Sequence, residues 1–296
     1  MTNTHTLHGS MVAIVTPFAD GQVDYETMGK LIEFQIEGGT QGIVPCGTTG
    51  ESPTLSHIEH GEVIEFTIKQ VAGRIPVIAG TGSNSTSEAV RLTQRAKDAG
   101  ADACLIVNPY YNKPTQHGMI EHMKRIGDVD LPIVLYNIPG RTSIEMTCET
   151  IVTMYNEIGP VVAVKEATGK LDLASEISAA CDITILSGDD SLTLPLASVG
   201  AKGVISVLAN ILPGPVRSLC DAINADDFTA AREIHLKLFR LFKGMFAETN
   251  PIPIKAAMAM TGMIRNELRL PMTPLSEECR QPLANLLEEF GVELKA

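Results

Sequence analysis

The sequence predicts an α/β protein: a (β/α)8 TIM barrel over residues 1–224, with a C-terminal helical extension over residues 225–296. Three observations carry this prediction. Eight short apolar runs alternate with stretches of helical periodicity, the pattern of repeated βα units. From about Ala225 onward the periodicity is helical only. The competing alternating architecture, a doubly wound open sheet, lacks its signature: Gly80-Thr-Gly82 has no third glycine where a dinucleotide loop requires one. A chain of 296 residues is a common length for a barrel built as one domain.

Residues 11–15 are the first apolar run and stop at Thr16-Pro17. Asp24 is placed to cap a helix whose Met28, Leu31, Ile32 and Ile36 share a face, ended by Gly38-Gly39. Residues 42–46 form the second strand, which runs out into Gly47-Thr48-Thr49-Gly50-Glu51-Ser52. Ser56-x-x-Glu59 is a capping box opening a helix to about Val71. After a strand at 76–79, Ser85-x-x-Glu88 reads as a second box, opening a helix to Ala99. Residues 103–107 end in Asn108-Pro-Tyr110-Tyr111-Asn112, before a helix to about Ile126. Residues 132–135 end in Tyr136-Asn-Ile-Pro-Gly-Arg141, before a helix from Thr147. Val161-Val-Ala-Val164 reads as a strand buried on both faces, because a half-buried strand would alternate. Residues 183–186 end in Ser187-Gly188-Asp-Asp190, and residues 203–207 end near Asn210. Pro195 falls inside the seventh helix and is expected to kink or shorten it. The extension holds helices up to Met245, after Asn250-Pro-Ile-Pro253, and near residues 277–290.

Composition narrows the function. Apolar residues are 44% of the chain and aromatics 4%, with no tryptophan, so a large core is built from aliphatics. The net charge of −12 and the lack of basic runs argue against nucleic acid and against an anionic membrane surface. No apolar run approaches the roughly 18 residues of a membrane span. Met1-Thr-Asn-Thr-His5 has neither the charged start nor the apolar block of a signal peptide. The six cysteines include no C-x-x-C pair and no metal spacing, and scattered free thiols point to the cytosol.

Lys165 closes the most apolar strand and needs a reason to be there, since lysine is rarely buried unless paired. One reading is an ion pair with Glu166, or an ammonium that snorkels out of the sheet edge. The other is an amine kept dry to attack a carbonyl. An ordinary lysine at pH 7 is only about 0.04% free amine, and desolvation that lowers its pKa to about 7 raises that roughly a thousandfold. The surrounding residues decide between the readings. In a barrel, catalytic groups sit where strands run out into βα loops. Thr48-Thr49, Tyr110-Tyr111, Tyr136 with Arg141, Lys165, and Ser187-Gly188 all lie on such endings, so they ring one mouth. Any one tyrosine there is most simply a packing residue with a wet hydroxyl. Three around one lysine favour a proton relay.

At this point the residues match a family. The motifs Gly47-Thr-Thr-Gly-Glu51-Ser, Asn108-Pro-Tyr-Tyr111, Leu135-Tyr-Asn-Ile-Pro-Gly-Arg141-Thr, Val164-Lys-Glu-Ala-Thr-Gly169, Ser187-Gly-Asp-Asp190 and Asn250-Pro-Ile-Pro-Ile-Lys255 occur in this order. Together they resemble the dihydrodipicolinate synthases. That family belongs to the pyruvate-dependent class I aldolase superfamily, which also holds N-acetylneuraminate lyase. Thr48-Thr49 and Arg141 after Pro139-Gly140 favour the synthases over the lyases.

The resemblance implies a set of roles. Lys165 forms a Schiff base with pyruvate, Tyr136 shuttles protons, and Thr48 relays them between Tyr136 and Tyr111. Tyr111 reaches in from a neighbouring subunit of a homotetramer assembled as a dimer of dimers. Thr49 holds the pyruvate carboxylate, Arg141 the carboxylate of L-aspartate 4-semialdehyde, and Gly188 and Ile205 line the floor. No cofactor or metal is implied, because the lysine is the electron sink. The resemblance also implies feedback by L-lysine at Ser52, His57, His60, Asn84, Glu88 and Tyr110, where Glu88 meets an ammonium group. Pro53 departs from the alanine common in that pocket. On spacing alone, Glu59 and Glu88 are simple caps and the histidines surface residues. A sister lyase and a non-catalytic ligand-binding barrel stand as alternatives. Borohydride trapping with pyruvate separates enzyme from binder, and aldehyde preference separates synthase from lyase.

Overall fold

The computed structural model describes residues 7–295, so Met1-Thr-Asn-Thr-His5 lies outside the described residues. Eight parallel strands form the barrel: β1 (Gly9–Ala13), β2 (Gly42–Val44), β3 (Ile78–Gly80), β4 (Ala103–Val107), β5 (Ile133–Asn137), β6 (Val161–Glu166), β7 (Thr184–Ser187) and β8 (Gly203–Ser206). They pair in the order β2-β1-β8-β7-β6-β5-β4-β3, and a bridge between Ile43 and Val77 brings β2 back to β3. At that seam Ile43 N–H donates to the Pro76 carbonyl and Gly80 N–H to the Pro45 carbonyl, each at 3.0 Å. Neither proline has an N–H to give back, so this seam has fewer bonds than a full ladder.

Alternate residues of each strand point inward. Met11, Ala13, Val44, Ile78, Leu105, Val134, Ala163, Leu186 and Ile205 fill the barrel, and Tyr136 joins them. The other face packs against α1 (Tyr25–Glu37), α2 (His57–Val71), α3 (Thr86–Ala99), α4 (Gln116–Gly127), α5 (Cys148–Glu157), α6 (Leu171–Ala180), α7 (Thr193–Ala197) and α8 (Pro213–Asn224). The extension contributes α9 (Phe228–Gly244), α10 (Ile252–Met260) and α11 (Glu277–Glu289). Its Leu241, Phe242, Leu283 and Leu287 belong to the same buried cluster as the barrel's outer face.

The element order follows the sequence reading, with corrections that have local causes. β1 ends at Ala13, not Val15, because the Val15 amide donates to Asn210 Oδ1 at 3.0 Å instead of extending the ladder. The lysine strand is not buried on both faces: Val162 is 39% exposed. The β5–β6 register shifts there, with Ile133 opposite Val161 and Val134 opposite Ala163. That leaves Val162 as the extra residue of a bulge, which turns the strand by one position. Since one residue reverses every side chain, the bulge helps set Ala163 and Lys165 on the inner face.

Ser56 and Glu59 form the first capping box. The second does not form: Ser85 holds the N-cap position but its side chain makes no cap bond. Glu88 Oε2 instead accepts from Ser83 Oγ at 2.5 Å. Pro195 shortens its helix to five residues, α7, behind a 3-10 turn at Asp190–Leu192. A small antiparallel hairpin, Phe18–Ala19 with Gln22–Val23, precedes α1 and was not anticipated. Among the described residues no helix is long and apolar enough to cross a membrane.

Candidate active site

The register of β5 and β6 sets Tyr136 directly beside Lys165, both on the inner face. Lys165 is 6% exposed, and its Nζ lies 4.3 Å from the centroid of the Tyr136 ring. Among the described residues it has no ion-pair partner. Glu166, the partner in the ion-pair reading, is on the opposite face and accepts from the Thr168 amide at 2.6 Å. Burial therefore acts on an ammonium with no carboxylate in contact and pushes the Lys165 pKa down to about 7. The Asp190 carboxylate opposes this, while the Arg141 charge adds to it. Tyr136 is pushed up to about 12 by its own burial, against smaller opposing effects of Arg141 and the Thr48 hydroxyl. The phenol thus keeps its proton at neutral pH, so it can donate that proton and take it back.

Gly188 at the end of β7 is needed for close approach. A Cβ there would lie 3.1 Å from Lys165 Cε and 2.7 Å from the Ala167 Cβ. Ile205 is buried within the barrel below the same end. Thr48 lies on the wall of a cavity of about 460 Å³, together with Tyr136 and Arg141. Thr49 is buried beneath it, and its Oγ1 accepts from Asn250 Nδ2 at 3.0 Å. Arg141 reaches the same asparagine, its Nη2 donating to the Asn250 carbonyl at 3.1 Å.

Tyr111 stands apart from this group. It is 90% exposed, with a left-handed φ of +73°, and does not reach the cavity of its own chain.

Ser52, His57, His60, Glu88 and Tyr110 line the same cavity as Thr48 and Tyr136. His57 Nε2 lies 2.7 Å from Glu88 Oε1, and Arg91 Nη2 lies 3.1 Å from His57 Nδ1. His60 is buried, and that burial pushes its pKa down to about 4. Asn84 is outside the cavity wall, but its Nδ2 donates to the Tyr110 carbonyl at 3.1 Å. Among the described residues no three His, Cys, Asp or Glu side chains converge as a metal site would require.

Two groups escaped the sequence reading. Asp190 is buried, with Oδ2 accepting from the Val207 and Leu208 amides at 2.9 and 3.1 Å. It is the negative charge acting on Lys165, and its position in the Ser187-Gly-Asp-Asp190 motif was the available signal. Asn250 joins Thr49 to Arg141 from a segment more than a hundred residues away, which no local pattern could show.

Known proteins match nearly the whole length of the chain. The description "Dihydrodipicolinate synthetase family" matches residues 6–290. The 4-hydroxy-tetrahydrodipicolinate synthase of Aquifex aeolicus is 52% identical over 290 residues, 97% of this chain and 99% of that protein. The crystal structure of dihydrodipicolinate synthase from Aquifex aeolicus superposes with a TM-score of 0.97 at 52% identity, covering 98% of this chain and 100% of that one. A structure of the enzyme from Cyanidioschyzon merolae with lysine bound, 39% identical, has a TM-score of 0.94 and covers 97% of this chain and 99% of that one. With the family match over residues 6–290, half of its residues identical to a relative along nearly its full length, and the same fold, the chain belongs to the dihydrodipicolinate synthetase family.

Proposed function

We infer that the chain is a Schiff-base-forming lyase of the class I aldolase type, a 4-hydroxy-tetrahydrodipicolinate synthase acting in diaminopimelate and lysine biosynthesis. It condenses pyruvate with L-aspartate 4-semialdehyde. The observation that carries the reading is the buried, unpaired Lys165 amine against Tyr136. Lys165 attacks the pyruvate ketone, and water leaves to give a protonated imine. That imine draws electrons as a methyl proton departs, and the resulting enamine carbon adds to the aldehyde. Tyr136 passes protons at the imine and at the new alcohol, with Thr48 next in the relay. Thr49 anchors the pyruvate carboxylate, Arg141 that of the aldehyde, and Gly188 and Ile205 shape the floor. Attack by the substrate amine closes the ring and frees Lys165. A coupled assay with pyruvate and L-aspartate 4-semialdehyde tests the reading. Turnover with sugar-acid substrates only would overturn it.

The relay needs a second chain if Tyr111 takes part, and its exposure supports that arrangement. The assembly we propose is a homotetramer in which the Tyr110-Tyr111 loop packs at a two-fold interface. Sedimentation is expected to show no fully active monomer at micromolar concentration, and an active monomer would remove Tyr111 from the mechanism. Residues 225–295 pack on the barrel's outer face in this picture, as a helical extension of the same hydrophobic cluster.

L-lysine is the effector we propose for the outer half of the cavity. Glu88 would meet one ammonium group, with Ser52, His57, His60, Asn84 and Tyr110 around it. The shared cavity gives a short path from Tyr110 and Ser52 to Thr48 and Tyr136. Inhibition is expected to be partial and to weaken in Glu88→Ala, while adduct formation with pyruvate survives. Unchanged turnover in millimolar L-lysine, with no heat of binding, would return these residues to structural roles.

A further inference from the structure

Residues 47–52 carry Thr48 and Thr49 to the mouth of the barrel, yet their shape is imposed from outside. Glu51 has a φ of +53°, in the left-handed region that side-chain-bearing residues rarely adopt. Its N–H donates to the Thr48 carbonyl at 3.1 Å, so the turn at Glu51 fixes the Thr48 backbone. Both carboxylate oxygens are taken by the extension: Oε1 accepts from Lys255 Nζ at 2.6 Å and Oε2 from the Arg269 amide at 3.2 Å. Lys255 Nζ also donates to the Thr16 carbonyl at 2.9 Å and lies 4.3 Å from the Phe18 ring centroid. Thr16 Oγ1 in turn donates to the Gly50 carbonyl at 2.7 Å. The Lys255 and Glu51 side chains are 0% and 1% exposed.

A buried ion pair is weak support for stability, because well-packed apolar residues of similar volume often do as well or better. The pair therefore needs a use that an apolar pair would not serve. We propose that Lys255 and Glu51 are positioning residues. Their ion pair holds Glu51 in its left-handed turn and so sets Thr48 and Thr49 where pyruvate meets Lys165. The inference rests on the reading of Thr49 as the pyruvate-carboxylate anchor.

The test compares full-length Glu51→Gln, Lys255→Met, the double variant and Thr49→Val, measuring thermal midpoint, kcat, and KM for each substrate. Each single charge removal leaves a buried partner uncompensated, so both midpoints fall. The double variant removes both charges and regains most of the midpoint, but the tether is still missing. Its KM for pyruvate is expected to remain raised about tenfold, with Lys165 still trapped by borohydride at saturating pyruvate. A double variant that regains both its midpoint and the wild-type KM overturns the proposal, leaving the pair a purely structural one. If Thr49→Val raises that KM while the double variant does not, only the positioning role falls. If neither raises it, the carboxylate reading falls as well.

Discussion

Lys165→Ala is expected to abolish the borohydride-trapped pyruvate adduct and to lower kcat by roughly 10⁴–10⁶, the scale seen when a covalent nucleophile is removed. Lys170→Ala should keep the adduct, because Lys170 is exposed and paired with Glu145 at 2.8 Å. Lys255 is as deeply buried as Lys165 and is the more demanding control. Burial lowers its pKa too, but Glu51 stands against it and opposes the shift. Of the two buried lysines only Lys255 has a carboxylate in contact, so Lys165 is the one expected to act as the nucleophile. Mass analysis of the trapped peptide checks this, and an adduct on any lysine other than Lys165 would refute the mechanism.

The pH dependence follows from the same shift. With the Lys165 pKa near 7, the free-amine fraction falls about tenfold per unit below pH 6 and levels off above pH 8. The initial rate of adduct formation should follow that curve. An ordinary lysine would keep gaining rate up to pH 10. Stability has the matching sign. Between about pH 7 and 10.5 the unfolded chain holds a proton on this lysine that the folded chain has lost. This site therefore adds stability as pH rises through that window.

Arg141→Ala is expected to cost roughly 2–5 kcal/mol in specificity for L-aspartate 4-semialdehyde, the range for losing one partner of a charge pair that substrate binding desolvates. Adduct formation with pyruvate should change far less, since Lys165 and Thr49 remain in place. The split is the informative quantity. Equal losses for both substrates would mean that Arg141 acts only by holding the Asn250 carbonyl, a structural bond visible without substrate. Arg141→Lys would keep the charge but not the planar fork, and should recover only part of the loss.

What the sequence made legible was whatever is written locally. Strand ends carrying Thr48, Tyr136, Lys165 and Gly188 could be read because β-runs and polar turns announce themselves within about ten residues. The Ser56 box was readable for the same reason, and the Ser85 box failed because Ser83, two residues earlier, takes Glu88. The bulge at Val162 left no trace, since valine suits a bulge and a ladder equally in a run of valines. Asn250 and Lys255 were visible as a motif, but not as neighbours of Thr49 and Glu51, because that contact spans about two hundred residues of chain. The Thr48–Tyr136 and His57–Glu88 halves of the cavity also joined only in three dimensions.

The sparse seam between β2 and β3 bears on the cavity directly. A barrel is a hoop, and a hoop under load yields at its weakest joint. Here the joint is a single bridge, Ile43 with Val77, flanked by bonds that two prolines accept but cannot return, while every other neighbouring strand pair has a register of two or more residue pairs. The cavity lies against that joint, bounded by Cys46, Gly47 and Thr48 on one side and by Gly80 and Gly82 on the other. A guest pressing outward in this pocket would load the most sparsely paired sector of the circumference, beside Thr48.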